Sequence, residues 1–161
     1  MIVVSDTSPL NYLVLLGAVD VLPQLFGEVH CPPAVLQELH HPRAPQSVRN
    51  WAKQPPAWLH VKEPRSTTPE ILLDPGEAAA IRLAIELGAD AVLIDEKKGR
   101  HFARSHGLAT LGTITVLELA AERDLLNLNS ALTALQQTTF HITQPYIDAA
   151  LARDAERRSQ G

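Results

Sequence analysis

Asp74-Pro75-Gly76-Glu77-Ala78-Ala79-Ala80-Ile81-Arg82-Leu83-Ala84-Ile85-Glu86-Leu87-Gly88-Ala89-Asp90-Ala91-Val92-Leu93-Ile94-Asp95 reads as a helix, a stop, and a buried strand that ends in an acid. Proline near the start and glycine past the end bound a helix from Asp74 to Leu87, because proline's missing N–H and glycine's left-handed conformation suit those two places. At 100° per residue Glu77 lines up with Ile81, Ala84, Ile85 and Gly88, the stripe expected to face a sheet. The run Ala91 to Ile94 has no helical period and no polar residue, as a strand covered on both faces requires.

The same pattern recurs on either side. Ile2 to Asp6 is a short β-branched run ending in an acid. Ser8-Pro9 then predicts an N-cap with proline at the first helical position, in a helix carrying Leu10, Leu13, Val14 and Leu16 and stopping at Gly17. A second short helix is predicted over 18–25, a strand over 28–31, and a helix from Pro32-Pro33 through Leu39. Six prolines between 42 and 70 mark a surface segment, with a helix over 46–53 and a strand over 59–61. Downstream come a helix over 97–105, a strand over 109–111, and helices over 113–123, 129–137 and 145–157. Alternating strands and helices predict a three-layer α/β fold with a central parallel sheet. One domain is expected over 1–161, with its core in about 1–126 and C-terminal helices over about 127–158.

The single cysteine, Cys31, excludes an intrachain disulfide and suits a reducing, cytoplasmic setting as a small buried hydrophobe. No basic, then apolar, leader opens the chain, and no apolar run approaches the roughly 20 residues of a membrane span. The net charge of −4 is unusual for a nucleic-acid binder. Setting Asp6, Glu38, Glu77, Asp95 and Glu96 aside turns the balance slightly positive, so global charge does not exclude RNA.

Taken singly, each acid has an ordinary explanation. Asp6 and Asp95 could cap the helices that follow them. Asp74 and Glu77 fit a capping box, and Glu38, about 60° from Val35, could be a solvated rim residue. Taken together they suggest something else. The carboxyl ends of parallel strands face the functional crevice, and clustered oxygen ligands there suit Mg²⁺ or Mn²⁺.

Ser5-Asp6-Thr7-Ser8-Pro9-Leu10, Pro33-Ala34-Val35-Leu36-Gln37-Glu38-Leu39, Gly76-Glu77-Ala78-Ala79-Ala80-Ile81 and Leu93-Ile94-Asp95-Glu96 together resemble the PIN-domain superfamily over residues 2 to about 126. Gly107-Leu108-Ala109-Thr110-Leu111-Gly112-Thr113 looks like the later signature of a less-characterised branch, related to bacterial toxin ribonucleases. Two features set the chain apart from those toxins: Leu93-Ile94 replaces a threonine or serine, and the third acid is Glu77 where aspartate is common. The resemblance implies a Mg²⁺- or Mn²⁺-dependent endoribonuclease. Its metal and catalytic acids would be Asp6, Glu38, Glu77 and Asp95, with Glu96 as an optional fifth ligand and Thr7 or Ser8 as polar support. It also implies an RNA substrate, a small antitoxin protein as partner, and a homodimer.

Such chemistry needs an activated water, a polarised phosphoryl oxygen and a stabilised leaving group, all of which divalent ions provide. Lys97, Arg100, His101 and Arg104 share one arc of their helix, as either a solvated face or a phosphate-gripping edge; Arg100 is the strongest candidate for the second. Arg153, Arg157 and Arg158 suit the C-terminal end of the last helix. Trp51 and Trp58 suit local packing better than base stacking. The seven histidines show no H-x-x-x-H pair, and no phosphate-binding glycine loop is present. The rival reading is a catalytically silent PIN-like module that binds RNA or protein. Phosphatase-like and receiver-like folds fit less well, since Asp6 stands alone after the first strand.

Overall fold

The computed structural model describes residues 1–65 and 73–160. Five parallel strands, β1 (Ile2–Ser5), β2 (Glu28–Cys31), β3 (Leu59–Val61), β4 (Ala91–Leu93) and β5 (Ala109–Leu111), form one sheet in the order β3-β2-β1-β4-β5. Helices α1 (Thr7–Leu15), α2 (Val21–Phe26), α3 (Pro33–Leu39), α4 (Gln46–Lys53), α5 (Pro75–Leu87), α6 (Lys97–Ser105), α7 (Thr113–Glu122), α8 (Leu128–Gln136) and α9 (Gln144–Gln160) flank it. This is the expected α/β architecture. Val3 pairs with Val29 on one side and Ala91 on the other, so β1 lies at the centre, and Val3 and Val4 are fully buried.

The order reverses direction between β1 and β4. Successive strands run outward through β2 and β3, then the chain returns to place β4 on the other side of β1. Parallel sheets open a crevice at such a reversal, outside the carboxyl ends of the two strands. Asp6 follows β1 directly and Asp95 follows β4 by two residues, so topology alone sets both at that opening. The Asp6 N–H donates to the Leu93 carbonyl at 2.9 Å, which ties the two strand ends together.

Several local expectations need correction. Helix α1 begins at Thr7, with Asp6 rather than Ser8 in the N-cap position, and Pro9 falls third in the helix. Proline is tolerated there because the first four N–H groups of a helix have no partner in it anyway. Gly17 does end this helix, at φ +68°. The Ala18 N–H reaches back to the Leu13 carbonyl at 2.8 Å and that of Gly17 to Val14 at 3.0 Å, the paired bonds of a left-handed cap. Helix α2 starts at Val21, three residues later than predicted. Ile85 is 41% exposed instead of facing the sheet, while Ala80, Ile81, Leu83 and Ala84 are buried. The buried stripe is turned because α5 packs on α3 as well as β1.

The proline-rich segment is also more than surface. Val48 and Ala52, one helical turn apart on α4, are buried, and α4 packs on α1 and α3. Trp51 and Trp58 pack on each other with ring centroids 6.2 Å apart. The part of that segment beyond Arg65, including Pro69, lies outside the described residues. At the C-terminal side, Arg153 lies within α9 rather than at its end. Its guanidinium donates to both Glu118 carboxylate oxygens on α7, at 2.8 and 3.0 Å. Arg157 and Arg158 pair with Asp154 in the last turns. No helix among the described residues is long and apolar enough to cross a membrane.

Candidate functional site

Asp6 is the innermost acid of the crevice. It is only 4% exposed, and its Oδ1 has no hydrogen-bond partner among the described residues. Burial, more than anything else, pushes its carboxyl up to about 7, since a charge loses its hydration there; repulsion from Glu77, Glu38 and Asp95 adds to the rise, and the Thr7 N–H partly offsets it. Three acids from three other segments therefore act electrostatically on Asp6.

Glu77 is buried beside it at 8% exposure, in the first turn of α5. The capping box suggested by Asp74 and Glu77 is not formed. Asp74 holds the N-cap position, but its side chain makes no capping hydrogen bond. Burial, with repulsion from Asp74, Glu96 and Glu38, raises the Glu77 carboxyl to about 7. Helix α6 closes over it: a Cβ on Gly99 would stand 3.2 Å from Glu77 Oε2 and 2.5 Å from Ile94 Cδ1. The glycine lets the two elements approach.

Glu38 and Asp95 are held differently. The Thr7 hydroxyl donates to Glu38 Oε2, and the Gly76 N–H at the start of α5 donates to Oε1 at 3.1 Å. A Cβ on Gly76 would come within 2.7 Å of Glu38 Cδ, so this approach too requires glycine. The Ser8 hydroxyl donates to Asp95 Oδ2 at 2.8 Å. The Thr113 hydroxyl meets the same oxygen at 2.7 Å, and the Thr113 N–H meets Oδ1 at 2.7 Å. Asp95 thus does not cap α6, the helix directly after it, whose N-cap position is Glu96; it lies over the N-terminus of the later helix α7, where exposed N–H groups favour an anion. Adjacent residues in the first turn of α1 reach opposite carboxylates. Thr113 is the residue that sequence reasoning missed, and the one local hint was the Gly112-Thr113 pair after β5.

The remaining candidates occupy the rim. Glu96 is exposed in the N-cap position of α6, contributing charge to the Glu77 environment. Lys97 and His101 are exposed. Arg104 is turned aside, its Nε donating to the Thr110 hydroxyl on β5 at 3.1 Å. Arg100 differs from these. It is half-buried, and its Nη1 would stand 3.9 Å from a Cβ on Gly112, whose nearest neighbour is Asp95 Oδ1. Among the described residues it has neither a hydrogen bond nor an ion pair.

Among the described residues, no three acidic, histidine or cysteine side chains stand close enough to grip one metal ion together. The chemistry of the donor set nevertheless fits a hard divalent cation. All the donors are oxygens, Asp6 offers an unused one, and its neighbours repel it in the absence of a counter-charge. Burial of Cys31, which pushes its thiol up to about 12, keeps the one sulfur ligand protonated and outside this chemistry.

No functionally curated protein is significantly similar to the chain. Among solved structures it is similar to a PilT N-terminus domain protein from the hyperthermophilic archaeon Sulfolobus solfataricus, at 13% identity and a TM-score of 0.48, covering 89% of this chain and 100% of that one. The model of the DUF3368 family, a PIN domain, matches residues 2–156, and the chain belongs to that family.

Proposed function

We propose that the protein is a metal-dependent endoribonuclease that cuts RNA phosphodiester bonds in the crevice between β1 and β4. The observation that carries this reading is the buried, unpaired Asp6 Oδ1, ringed by three further acids that repel it. Such an arrangement costs stability and has a use when a cation is present. Asp6, Glu38, Glu77 and Asp95 would hold Mg²⁺ or Mn²⁺. When bound, either ion supplies Lewis-acid polarisation of the phosphodiester and a more acidic water.

The chain's own residues do the rest. Thr7 and Gly76 fix the Glu38 carboxylate, while Ser8 and Thr113 fix that of Asp95. Ile94 and the close approach at Gly99 pack tightly on the buried Glu77 side. Arg100, with no partner among the described residues, offers its guanidinium to a substrate phosphate beside Asp95. Lys97 extends that edge as a point charge. The toxin role, the small antitoxin partner and the homodimer follow from the family resemblance, and growth arrest on induced expression tests the first of them.

A catalytically silent binding module is the second reading. It is favoured by one observation, the hydrogen bonds already committed at Glu38 and Asp95. Incubating purified protein with generic single-stranded RNA, with Mn²⁺, Mg²⁺ or EDTA, separates the two. Internal cuts that depend on the ion support the nuclease. Binding without cutting under all three conditions supports the module.

A further inference from the structure

We infer that Thr113 is a positioning residue for Asp95, acting with Ser8 and the close approach of Gly112 to hold that carboxylate in one orientation. The inference rests on the reading of Asp95 as a metal ligand, and extends it to the β5–α7 turn. Thr113 is fully buried and gives Asp95 two hydrogen bonds at 2.7 Å, one from its backbone and one from its hydroxyl, to the two different oxygens. Together these bonds fix both the rotation and the tilt of the carboxylate plane, which one bond cannot do. The Ser8 hydroxyl at 2.8 Å presses on the same Oδ2 from α1, so that oxygen is held between two helices.

Gly112 closes the remaining freedom. A Cβ there would lie 3.1 Å from Asp95 Oδ1, closer than ordinary van der Waals contact, although the backbone at φ −87° suits any residue. A side chain there would push that oxygen by a few tenths of an ångström, so the constraint at Gly112 is one of space and not of conformation. The turn therefore holds Asp95 by hydrogen bonds on both oxygens and by close packing on one of them. Partners that orient a metal-binding side chain typically change affinity by about 10–100-fold when removed.

The test is a Mn²⁺ titration of thermal stability in four proteins: wild type, Thr113→Val, Thr113→Ser and Gly112→Ala, with RNA cleavage measured alongside. Thr113→Val should weaken Mn²⁺ binding by about tenfold or more. Thr113→Ser, which keeps both donors, should restore near-wild-type binding, and a purely packing role would not distinguish the hydroxyl in this way. Gly112→Ala keeps every hydrogen-bonding group yet should weaken binding by displacing the carboxylate. Ser8→Ala replaces Thr113→Val if the latter does not fold, and should show the same direction. If wild type binds Mn²⁺ while Thr113→Val and Gly112→Ala bind it equally well, the positioning role is wrong and the metal site stands. If wild type shows no Mn²⁺-induced stabilisation, the metal-site reading fails and takes the positioning role with it.

Discussion

Glu38 and Asp95 each receive hydrogen bonds from a hydroxyl of α1 and from a backbone N–H at the start of another helix. Asp6 and Glu77, in the same crevice, are more deeply buried, and burial has raised both carboxyls to about 7. One pair is satisfied by the fold, and the other is tolerated by it. The satisfied pair gains from N-terminal helix charge and fixed donors. The tolerated pair loses hydration without full compensation. Acids that look equivalent in the sequence should therefore respond oppositely to substitution, and loss of charge at each position tests this.

The largest expected effect is on RNA cleavage, where both pairs should behave alike. Asp6→Asn and Asp95→Asn should each reduce Mn²⁺-dependent cutting by roughly a hundredfold or more, since several kcal/mol of transition-state stabilisation depend on a ligand and about 1.4 kcal/mol corresponds to each decade. Near-wild-type turnover in either purified, folded variant would remove that residue from the site.

Metal-free stability should then separate the pairs. In EDTA at neutral pH, Asp6→Asn should raise the melting temperature, because it removes a charge whose burial costs on the order of a few kcal/mol. Asp95→Asn should lower it by an amount corresponding to about 1–3 kcal/mol, because it removes the charge that strengthens the three hydrogen bonds and that the N-terminus of α7 favours. Both should shrink the rise produced by Mn²⁺, which at 100 times Kd is about 2.7 kcal/mol for a ligand that binds only the folded state. Asp20→Asn and Asp148→Asn, outside the crevice, serve as controls. Matching shifts for Asp6→Asn and Asp95→Asn in EDTA would erase the distinction.

The pH dependence has a defined sign. Asp6 takes up its proton near 3.8 when unfolded and near 7 when folded, so between those values the folded state binds more protons. Metal-free stability contributed by this group should be fully present below about 4 and lost as pH rises through about 7; Glu77, raised from 4.5, acts in the same direction. Denaturant unfolding across that range should show a downward slope that flattens in Asp6→Asn. An unchanged slope would mean that Asp6 is not the titrating group.

The smallest effect concerns the rim. Arg100→Ala should weaken RNA binding similarly for all sequences and reduce the salt dependence by about one charge, whereas Arg104→Ala, whose partner is Thr110, should change the salt slope less. Equal slopes for the two variants would return Arg100 to the solvated face.

The parts of this site that were legible in the sequence are those announced by their own neighbours. Asp6 and Asp95 end apolar runs, and Glu77 follows Pro75-Gly76, so strand ends and a helix start marked them. The periods that predicted β2, β3, β5, α4 and α6 did so because each contrasts with a proline, a glycine or a polar flank. What the sequence concealed is set by distant contacts. Ile85 faces outward because α3 also packs on α5, and Val48 and Ala52 are buried beneath prolines that suggested a surface loop. Thr113 meets Asp95 from 18 positions away and Ser8 meets it from 87. No local pattern could divide the acids into satisfied and strained pairs, because that division depends on which helix N-terminus each one reaches.

The splayed reach of Thr7 and Ser8 has a consequence for how the protein comes into being. Thr7 needs a partner 31 residues downstream, Ser8 needs one 87 downstream, and Asp95 waits a further 18 for Thr113. During synthesis the first strand and helix emerge early, but the pocket they furnish stays unfinished until the opening turn of α7 has left the ribosome. On the proposed ribonuclease reading, a nascent chain would lack its finished site through most of translation, because the parts of that site appear in this order.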